Sequence, residues 1–329
     1  MCDRPRERYF YHSFPRRSEC ENEIDKGLQI LRSIVKSGLL LTPEQTSWQE
    51  PVSGGGLSKP IRVIQKRACF TELAPTELKR HSEDFGRFAL EFKIQGLRQL
   101  GAIPAFYFPR ASTDDIGMES SAASLLCRTG EIQTLLNRLG DLEDLIKATK
   151  NKSAILNLKN NVTGKQKPTH MTISDAQDFL SFLTHGNQSA SILRNALRVL
   201  CSFFYPAEDL NHTDVMGYYR QREWRIVANM SKLGKEQTRP LSEEEVEHLL
   251  HLDVEFFGEE EEYFTGLHRR VDQCKYFDVL EGKNFIHYVR RVIVPREALH
   301  EAAVILEGDG MPIVTTKPTP PMWRRVLGC

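Results

Sequence analysis

The sequence has few of the features that mark secreted, membrane-spanning or metal-binding proteins. Its seven cysteines are an odd number and form no Cys-x-x-Cys pair, so neither a disulfide framework nor a zinc knuckle is predicted. No apolar run approaches the roughly 20 residues that a membrane span needs. The charged start of the chain is not followed by the apolar segment of a signal peptide. We therefore expect a cytoplasmic protein with no membrane association and no metal ion.

A net charge is also missing. The chain has 44 Lys and Arg against 44 Asp and Glu, which argues against a nucleic-acid binder held by a uniform basic surface. A local basic groove stays open as an alternative. Separately, hydrophobic residues make up 40% of the 329 positions. This share is enough to form a buried core in one large domain or two moderate ones.

Short predicted strands and helices alternate over residues 1–112 and again over 205–329, whereas 113–204 is largely helical in pattern. This order predicts an α+β core in two parts, with a mixed or antiparallel sheet and a helical insertion at 113–204. The main predicted helices are Ile24–Ser37, Ser121–Lys150 with breaks near Gly130 and Gly140, Ser189–Phe204, and Leu241–Leu252 with Ser242 as N-cap. The predicted strands include Tyr9–Phe14, Ile61–Thr71, Phe85–Phe92, Ala105–Phe108 and Asn284–Val289, with a polar linker at Lys159–Pro168 and a solvated turn at Glu259–Glu262.

The stretch from Tyr218 to Ala228 is the densest in informative residues. Its second half alternates in the manner of a strand that begins near Glu223. Gln221 and Glu223 are two residues apart, so at strand spacing they present an amide and a carboxylate on the same face. One interpretation is an inert salt bridge between Glu223 and neighbouring arginines. The other is a functional site at the start of the strand.

Three further residues are site candidates. His12 lies in an aromatic predicted strand, Thr71 ends another, and Tyr107 lies in a third. His12 and Thr71 each have a structural alternative, since a histidine among aromatic residues often belongs to the core and a threonine often merely ends a strand. A metal-dependent nuclease built on His12, His81 and Glu223 is a weaker hypothesis, because no second carboxylate stands at a convincing spacing.

Several segments taken in order resemble the AbiGi-type abortive-infection proteins of bacterial phage defence. They are Tyr11-His12 followed by a helix ending in "SGLLL", "CFTEL…KRHSEDFGRFALEF…IPAFYF" (Cys69–Phe108), "YYRQREWRIV" (Tyr218–Val227) and "VIVP" (Val292–Pro295). The likeness covers about half the chain and leaves out the helical middle. It implies a bacterial anti-phage protein, usually the antitoxin partner of its operon.

The same strands are more distantly similar to ADP-ribosyltransferases, whose split β-sandwich carries three successive site motifs. The resemblance assigns His12 to the ribose-binding first motif, Thr71 to the second, and Glu223 to the third, where it would stabilise the oxocarbenium-like state. It implies NAD as the substrate, and Tyr107, Tyr11 or Phe70 could stack on nicotinamide. Gln221 departs from the AbiGi-like pattern, which usually has Glu there, and favours an acceptor other than arginine.

Two functions from different classes follow. The first is an ADP-ribosyltransferase-like effector that uses NAD, with Glu223, His12 and Gln221 as catalytic residues. The second is a non-catalytic antitoxin or sensor that binds a partner toxin or a phage component, with the helical middle as its contact surface.

Overall fold

The computed structural model describes residues 8–15, 22–48, 61–109, 118–159, 166–183, 190–207, 222–228, 231–232, 235–263, 266–277, 279–280, 282–308 and 311–317. The chain divides into two compact units. The first unit comprises residues 1–47, 62–110 and 202–329, and the second comprises 48–61 and 111–201.

The first unit contains six of the described helices and most of the described strands. Its helices are α1 (Glu23–Ser37), α2 (Leu78–Phe85), α3 (Ile94–Gln99), α7 (Glu243–Leu252), α8 (Val254–Phe257) and α9 (Leu299–Ile305). Its strands are β1 (Tyr9–Phe14), β2 (Leu39–Trp48), β3 (Ile61–Leu73), β4 (Phe88–Phe92), β5 (Ile103–Pro104), β6 (Phe106–Pro109), β9 (Phe204–Ala207), β10 (Glu223–Val227), β11 (Ser231–Lys232), β12 (Lys235–Glu236), β13 (Thr238–Pro240), β14 (Glu260–Tyr263), β15 (Gly266–Arg269), β16 (Lys275–Phe277), β17 (Val279–Leu280), β18 (Lys283–Asn284), β19 (Arg291–Ile293) and β20 (Ile313–Thr315).

A ten-stranded sheet organises the described part of this unit. Eight of its strands follow the order β13-β16-β2-β3-β1-β4-β19-β20, and β10 lies off this path, paired with β3 and β5. The pairs of β1, β4 and β10 are antiparallel, whereas β19 and β20 run parallel. The protein is therefore mixed α+β with a mostly antiparallel, largely open sheet, as the sequence predicts at this coarser level.

One face of the sheet carries the main apolar core. Leu28, Leu31 and Ile34 recur at helical spacing on α1 and are buried in the same cluster as Phe70 and other aromatic residues of the sheet. Gly27 on this side of α1 lies so close to the Phe88 ring that a Cβ would come within 2.3 Å of it. Helix α1 therefore packs directly against β4, in a cluster that also contains residues of β1 and β3.

Two ends of helices form as their residue types predict. Helix α1 ends at Gly38, which has φ +94 and donates its N–H to Ile34 O at 3.0 Å. Helix α7 begins after Ser242, whose hydroxyl accepts from Glu245 N while the Glu245 carboxylate accepts from Ser242 N. The predicted N-cap role of Ser242 is confirmed.

Two local predictions in the first unit are wrong. The segment predicted as strand Asn284–Val289 contains a 3₁₀ turn at Phe285–Tyr288, because the Asn284 side chain accepts from Ile286 N at 3.0 Å and caps the turn. The acidic run predicted as a solvated turn forms β14, paired with β15. Arg270 lies 2.6 Å from Glu259 and 2.5 Å from Glu261 and offsets the repulsion within this run.

The second unit is mainly helical in its described part. It contains α4 (Met118–Ala148), α5 (Ile173–Leu183) and α6 (Ala190–Cys201), with the hairpin of β7 (Ile155–Lys159) and β8 (Gln166–Thr172). Helix α4 continues through Gly130 and Gly140 without the expected breaks. The hairpin takes up both ends of the segment predicted as a polar linker. Across the described ranges, no helix combines the length and the apolar character that a membrane crossing requires.

Candidate active site

Glu223 is the first residue of β10, and its position depends on an unusual backbone conformation just before it. Arg222 has φ +45, in the left-handed region that side-chain-bearing residues rarely adopt. Its carbonyl oxygen accepts from Glu72 N at 3.2 Å, and its guanidinium lies 3.6 Å from the Glu77 carboxylate. These contacts hold Arg222, and with it the start of β10, beside β3.

Strand alternation collects polar side chains on the face of the sheet opposite the main core. On β3 the side chains of this face are Gln65, Arg67, Cys69 and Thr71, all two apart. In the β3–β10 register Glu223 stands opposite Thr71 and Arg225 opposite Cys69. We call this set the polar face; it consists of Gln65, Arg67, Cys69, Thr71, Glu223 and Arg225.

The Glu223 carboxylate is fixed by neighbours on both of its oxygens. Arg225 Nε donates to Oε1 at 2.6 Å, and the Tyr107 hydroxyl donates to Oε2. Burial alone would favour the protonated carboxyl. The Arg225 guanidinium beside it, and hydrogen bonds from Arg225, Cys69 and Tyr107, outweigh burial and hold the pKa of Glu223 below its ordinary value. The side chain is therefore an ionised, immobilised carboxylate at neutral pH.

Arg225 is fully buried beneath this carboxylate. Its Nη1 donates to Gln65 Oε1 at 3.1 Å and to Ser202 O at 3.3 Å, and its guanidinium carbon lies 5.0 Å from the centre of the Tyr205 ring. Its Nη2 is buried and has no hydrogen-bond partner in the part of the chain that the structure describes. A buried guanidinium N–H without an acceptor is costly, so Arg225 has an unused donor next to Glu223.

A second ion pair adjoins the first. Arg67 donates to Gln65 Oε1 and to Glu44 Oε2, and the Tyr205 hydroxyl donates to Glu44 Oε1 at 2.9 Å. The Arg67 guanidinium carbon lies 4.8 Å from the centre of the Tyr205 ring. Two carboxylates thus face two guanidinium groups, which keeps the buried charge balanced.

His12 lies on the opposite face of the sheet from Glu223. In the β1–β3 register Tyr11, not His12, stands opposite Thr71, so alternation turns His12 to the core side. There its Nδ1 donates to Cys69 O at 2.8 Å, and its ring lies 5.5 Å from that of Phe70. Burial lowers the pKa of His12, partly offset by that hydrogen bond. It is a neutral histidine among aromatic residues.

The structure thus brings three of the predicted site residues together and separates a fourth. Glu223, Thr71 and Tyr107 meet at the polar face, His12 lies behind it, and Gln221 falls outside the described residues. His81 stacks on Phe85 with ring centres 4.4 Å apart, and burial lowers its pKa to about 4. Within the described ranges, no three His, Cys, Asp or Glu side chains are grouped so that they could hold a metal ion.

Several residues of the site are not among those predicted from the sequence. Gln65, Arg67, Cys69, Glu44 and Tyr205 all take part in the network around Glu223. Arg67 and Cys69 could have been found from the sequence, because they alternate with the apolar Ala68 and Phe70, whereas Lys66 interrupts that alternation before Gln65. Glu44 and Tyr205 have no such sequence signal, because only the folded chain brings them close to Arg67.

The arrangement has a definite chemical capacity. An ionised carboxylate on a rigid strand can accept a hydrogen bond from a ligand hydroxyl and can stabilise positive charge that develops close to it. It cannot serve as a general acid at neutral pH, because its pKa is depressed.

Comparisons with protein-family models, with curated proteins and with solved structures found no match to this chain.

Proposed function

We propose that the protein is an ADP-ribosyltransferase-like enzyme of bacterial anti-phage defence, that it uses NAD, and that Glu223 is its central catalytic residue. The observation that carries the proposal is the fixed, ionised Glu223 carboxylate at the start of β10, directly across from Thr71. In this proposal the sheet is part of a split β-sandwich. The order of the AbiGi-like segments along the chain supports the defence role.

The chemistry of NAD matches this carboxylate. Breaking the bond between nicotinamide and ribose builds positive charge on the ribose ring, and a carboxylate fixed beforehand stabilises that charge more in the transition state than in the ground state. Thr71 and Tyr107 offer a hydroxyl and an aromatic ring next to it. His12 lies behind the sheet, so here it positions β1 against β3 through Cys69 O instead of contacting NAD.

The test is NAD turnover by the purified chain with and without Glu223. We expect nicotinamide release, or transfer of label from NAD to an acceptor in lysate, and we expect Glu223→Gln to lose it. Glu91→Gln is the matched control, because Glu91 is also buried and also bonded by a tyrosine, Tyr11, and an arginine, Arg290. Turnover that persists in folded Glu223→Gln protein, or that Glu91→Gln abolishes equally, would refute the assignment.

A non-catalytic antitoxin or sensor is the second candidate, and one observation favours it. Both oxygens of Glu223 are already bonded by side chains of the chain itself. The described helices of the second unit also expose large apolar side chains that could contact a partner, among them Ile132, Leu135, Phe179, Phe182 and Ile192. Induced expression of this chain alone should then be harmless, and growth arrest that depends on Glu223 would exclude this alternative.

A further inference from the structure

Strands β6 and β9 form a short parallel ribbon that covers the polar face. Phe106 pairs with Phe204 and Tyr107 with Tyr205, and Phe106 N donates to Phe203 O at 2.8 Å. These strands belong to the first unit, and they are the places where the chain leaves for residues 111–201 and returns from them. We call this pair the lid ribbon.

The two tyrosines of the lid ribbon each bond a carboxylate of the sheet. Tyr107 donates to Glu223 and Tyr205 donates to Glu44. The Tyr205 ring also lies over the guanidinium groups of Arg67 and Arg225. The lid ribbon therefore contacts the charged groups that a ligand of the polar face would need to reach.

The described contacts that hold this ribbon to the sheet include further hydrogen bonds. Gln65 Nε2 donates to Phe204 O at 2.8 Å, and just outside the ribbon Arg225 Nη1 donates to Ser202 O and Ala105 N donates to Glu223 O. Phe106 is half exposed and stacks on Phe204. When the ribbon moves away, water can replace hydrogen bonds of this kind, whereas nothing replaces the contacts of a buried apolar side chain.

We propose that the lid ribbon is a movable cover that Tyr107 and Tyr205 hold closed, and that its opening admits the ligand to Glu223 and Arg225. The inference rests on the proposed function. It also defines the ligand chemistry: a hydroxyl that replaces the Tyr107 hydroxyl on Glu223, and a carbonyl or phosphate oxygen that accepts from Arg225 Nη2. The unpartnered Nη2 is the independent observation that points to such a ligand.

Cys69 gives a readout of opening that needs no substrate. Its thiol is only partly exposed and lies against Glu223, and burial together with that carboxylate raises its pKa to about 12, so it reacts slowly with alkylating reagents. Cys274, in the apolar cluster with Leu249 and Val271, has its pKa raised by burial to about 12 as well. The ratio of iodoacetamide labelling at Cys69 to that at Cys274, measured by peptide mapping, therefore separates lid opening from global unfolding.

We expect the double variant Tyr107→Phe/Tyr205→Phe to raise this ratio about tenfold or more, because each change removes a hydrogen bond to a charged group. Tyr11→Phe is the matched control, since it removes a 3.0 Å bond to Glu91 in the same sheet but outside the lid ribbon. An unchanged ratio in the double variant, or an equal rise in Tyr11→Phe, overturns the proposal.

The labelling is independent of NAD, so the two proposals can fail separately. If the labelling ratio rises in the double variant but the chain never consumes NAD, the lid proposal is supported and the proposed enzyme function is refuted. If NAD turnover depends on Glu223 but the labelling ratio is unchanged in the double variant, the proposed enzyme function is supported and the lid proposal is refuted. If both hold, Tyr107→Phe should also bind NAD more tightly, and calorimetric titration with NAD measures this.

Discussion

Removing the Glu223 carboxylate should destabilise the protein as well as its site. Arg225 is fully buried, and the Glu223 side chain is only 12% exposed. Glu223→Ala leaves the guanidinium inside the protein without its counter-ion, and loss of one partner from a buried ion pair costs about 3–5 kcal/mol. This is a large share of the about 5–15 kcal/mol that typically stabilises a native protein.

Glu223→Gln should cost less than Glu223→Ala. The amide keeps a carbonyl oxygen that can accept from Arg225 Nε, so it retains one hydrogen bond to the buried guanidinium, a kind of bond that contributes about 1.5–3 kcal/mol. Replacing both members of the pair, as in Glu223→Leu/Arg225→Met, should recover part of the loss, because no uncompensated charge remains. Glutamine is therefore the sounder substitution for activity assays.

The assay is urea unfolding followed by circular dichroism for the two single variants, Arg225→Met and the double variant. We expect the resulting double-mutant cycle to give a coupling energy between Glu223 and Arg225 of at least about 1 kcal/mol. A Glu223→Ala variant whose free energy of unfolding lies within about 0.5 kcal/mol of the wild type would refute the buried ion pair, since that is the range of inert surface substitutions.

The pH dependence of the same variants has a definite sign. The folded-state pKa of Glu223 lies below its ordinary value of 4.5. A carboxylate with a depressed pKa contributes stability in full above the unfolded value and loses it as the pH falls through the folded value. The stability gap between wild type and Glu223→Gln should therefore be constant above about pH 5 and narrow below about pH 4.5. A gap that widens on acidification would contradict the ionised state.

Three further substitutions test local features of the fold by urea titration. Gly27→Ala should lower the free energy of unfolding by about 1–3 kcal/mol, because its Cβ would come within 2.3 Å of the Phe88 ring. Ser242→Ala should cost about 1 kcal/mol, because it removes the cap that Ser242 forms with Glu245. Arg222→Val should cost about 1–2 kcal/mol, because a β-branched residue is strained at φ +45.

Each of these has a matched comparison. Gln29 lies on the exposed side of α1, so Gln29→Ala should leave the free energy of unfolding unchanged. An equal loss of stability in this variant would show that the effect of Gly27→Ala does not come from packing against Phe88. Ser242→Thr keeps a hydroxyl cap and should retain most of the stability. Arg222→Asn suits the left-handed region, and a loss as large as that of the valine variant would point to the side chain instead of the backbone.

The type of the sheet could be predicted because it depends on local pattern. Alternation around β3 and β10 identifies both strands, and the mixed α+β class follows from the order of such segments. The placement of Glu223 at the start of its strand follows from the same pattern. The split sandwich stays a prediction, since it concerns how distant elements are arranged.

The relation of His12 to Glu223 could not be predicted, because it depends on strand register. A shift of one residue between β1 and β3 would set His12 opposite Thr71 and turn it toward the polar face. In the structure Tyr11 takes that place. The sequence of β1 suits both registers, since aromatic residues precede and follow His12. The bond from Tyr107 to Glu223 joins residues 116 apart in sequence, beyond the reach of any local pattern.

The late position of β10 in the chain has a consequence for synthesis. About 150 residues separate the end of β3 at Leu73 from Glu223, which takes roughly 8–30 s to make at about 5–20 residues per second. Throughout that time the emerging polypeptide presents unpaired backbone groups along β3, a template for wrong pairing with other chains. A truncated product that stops before Glu223 should therefore aggregate, and the cell must shield this edge until the ribosome has delivered its partner.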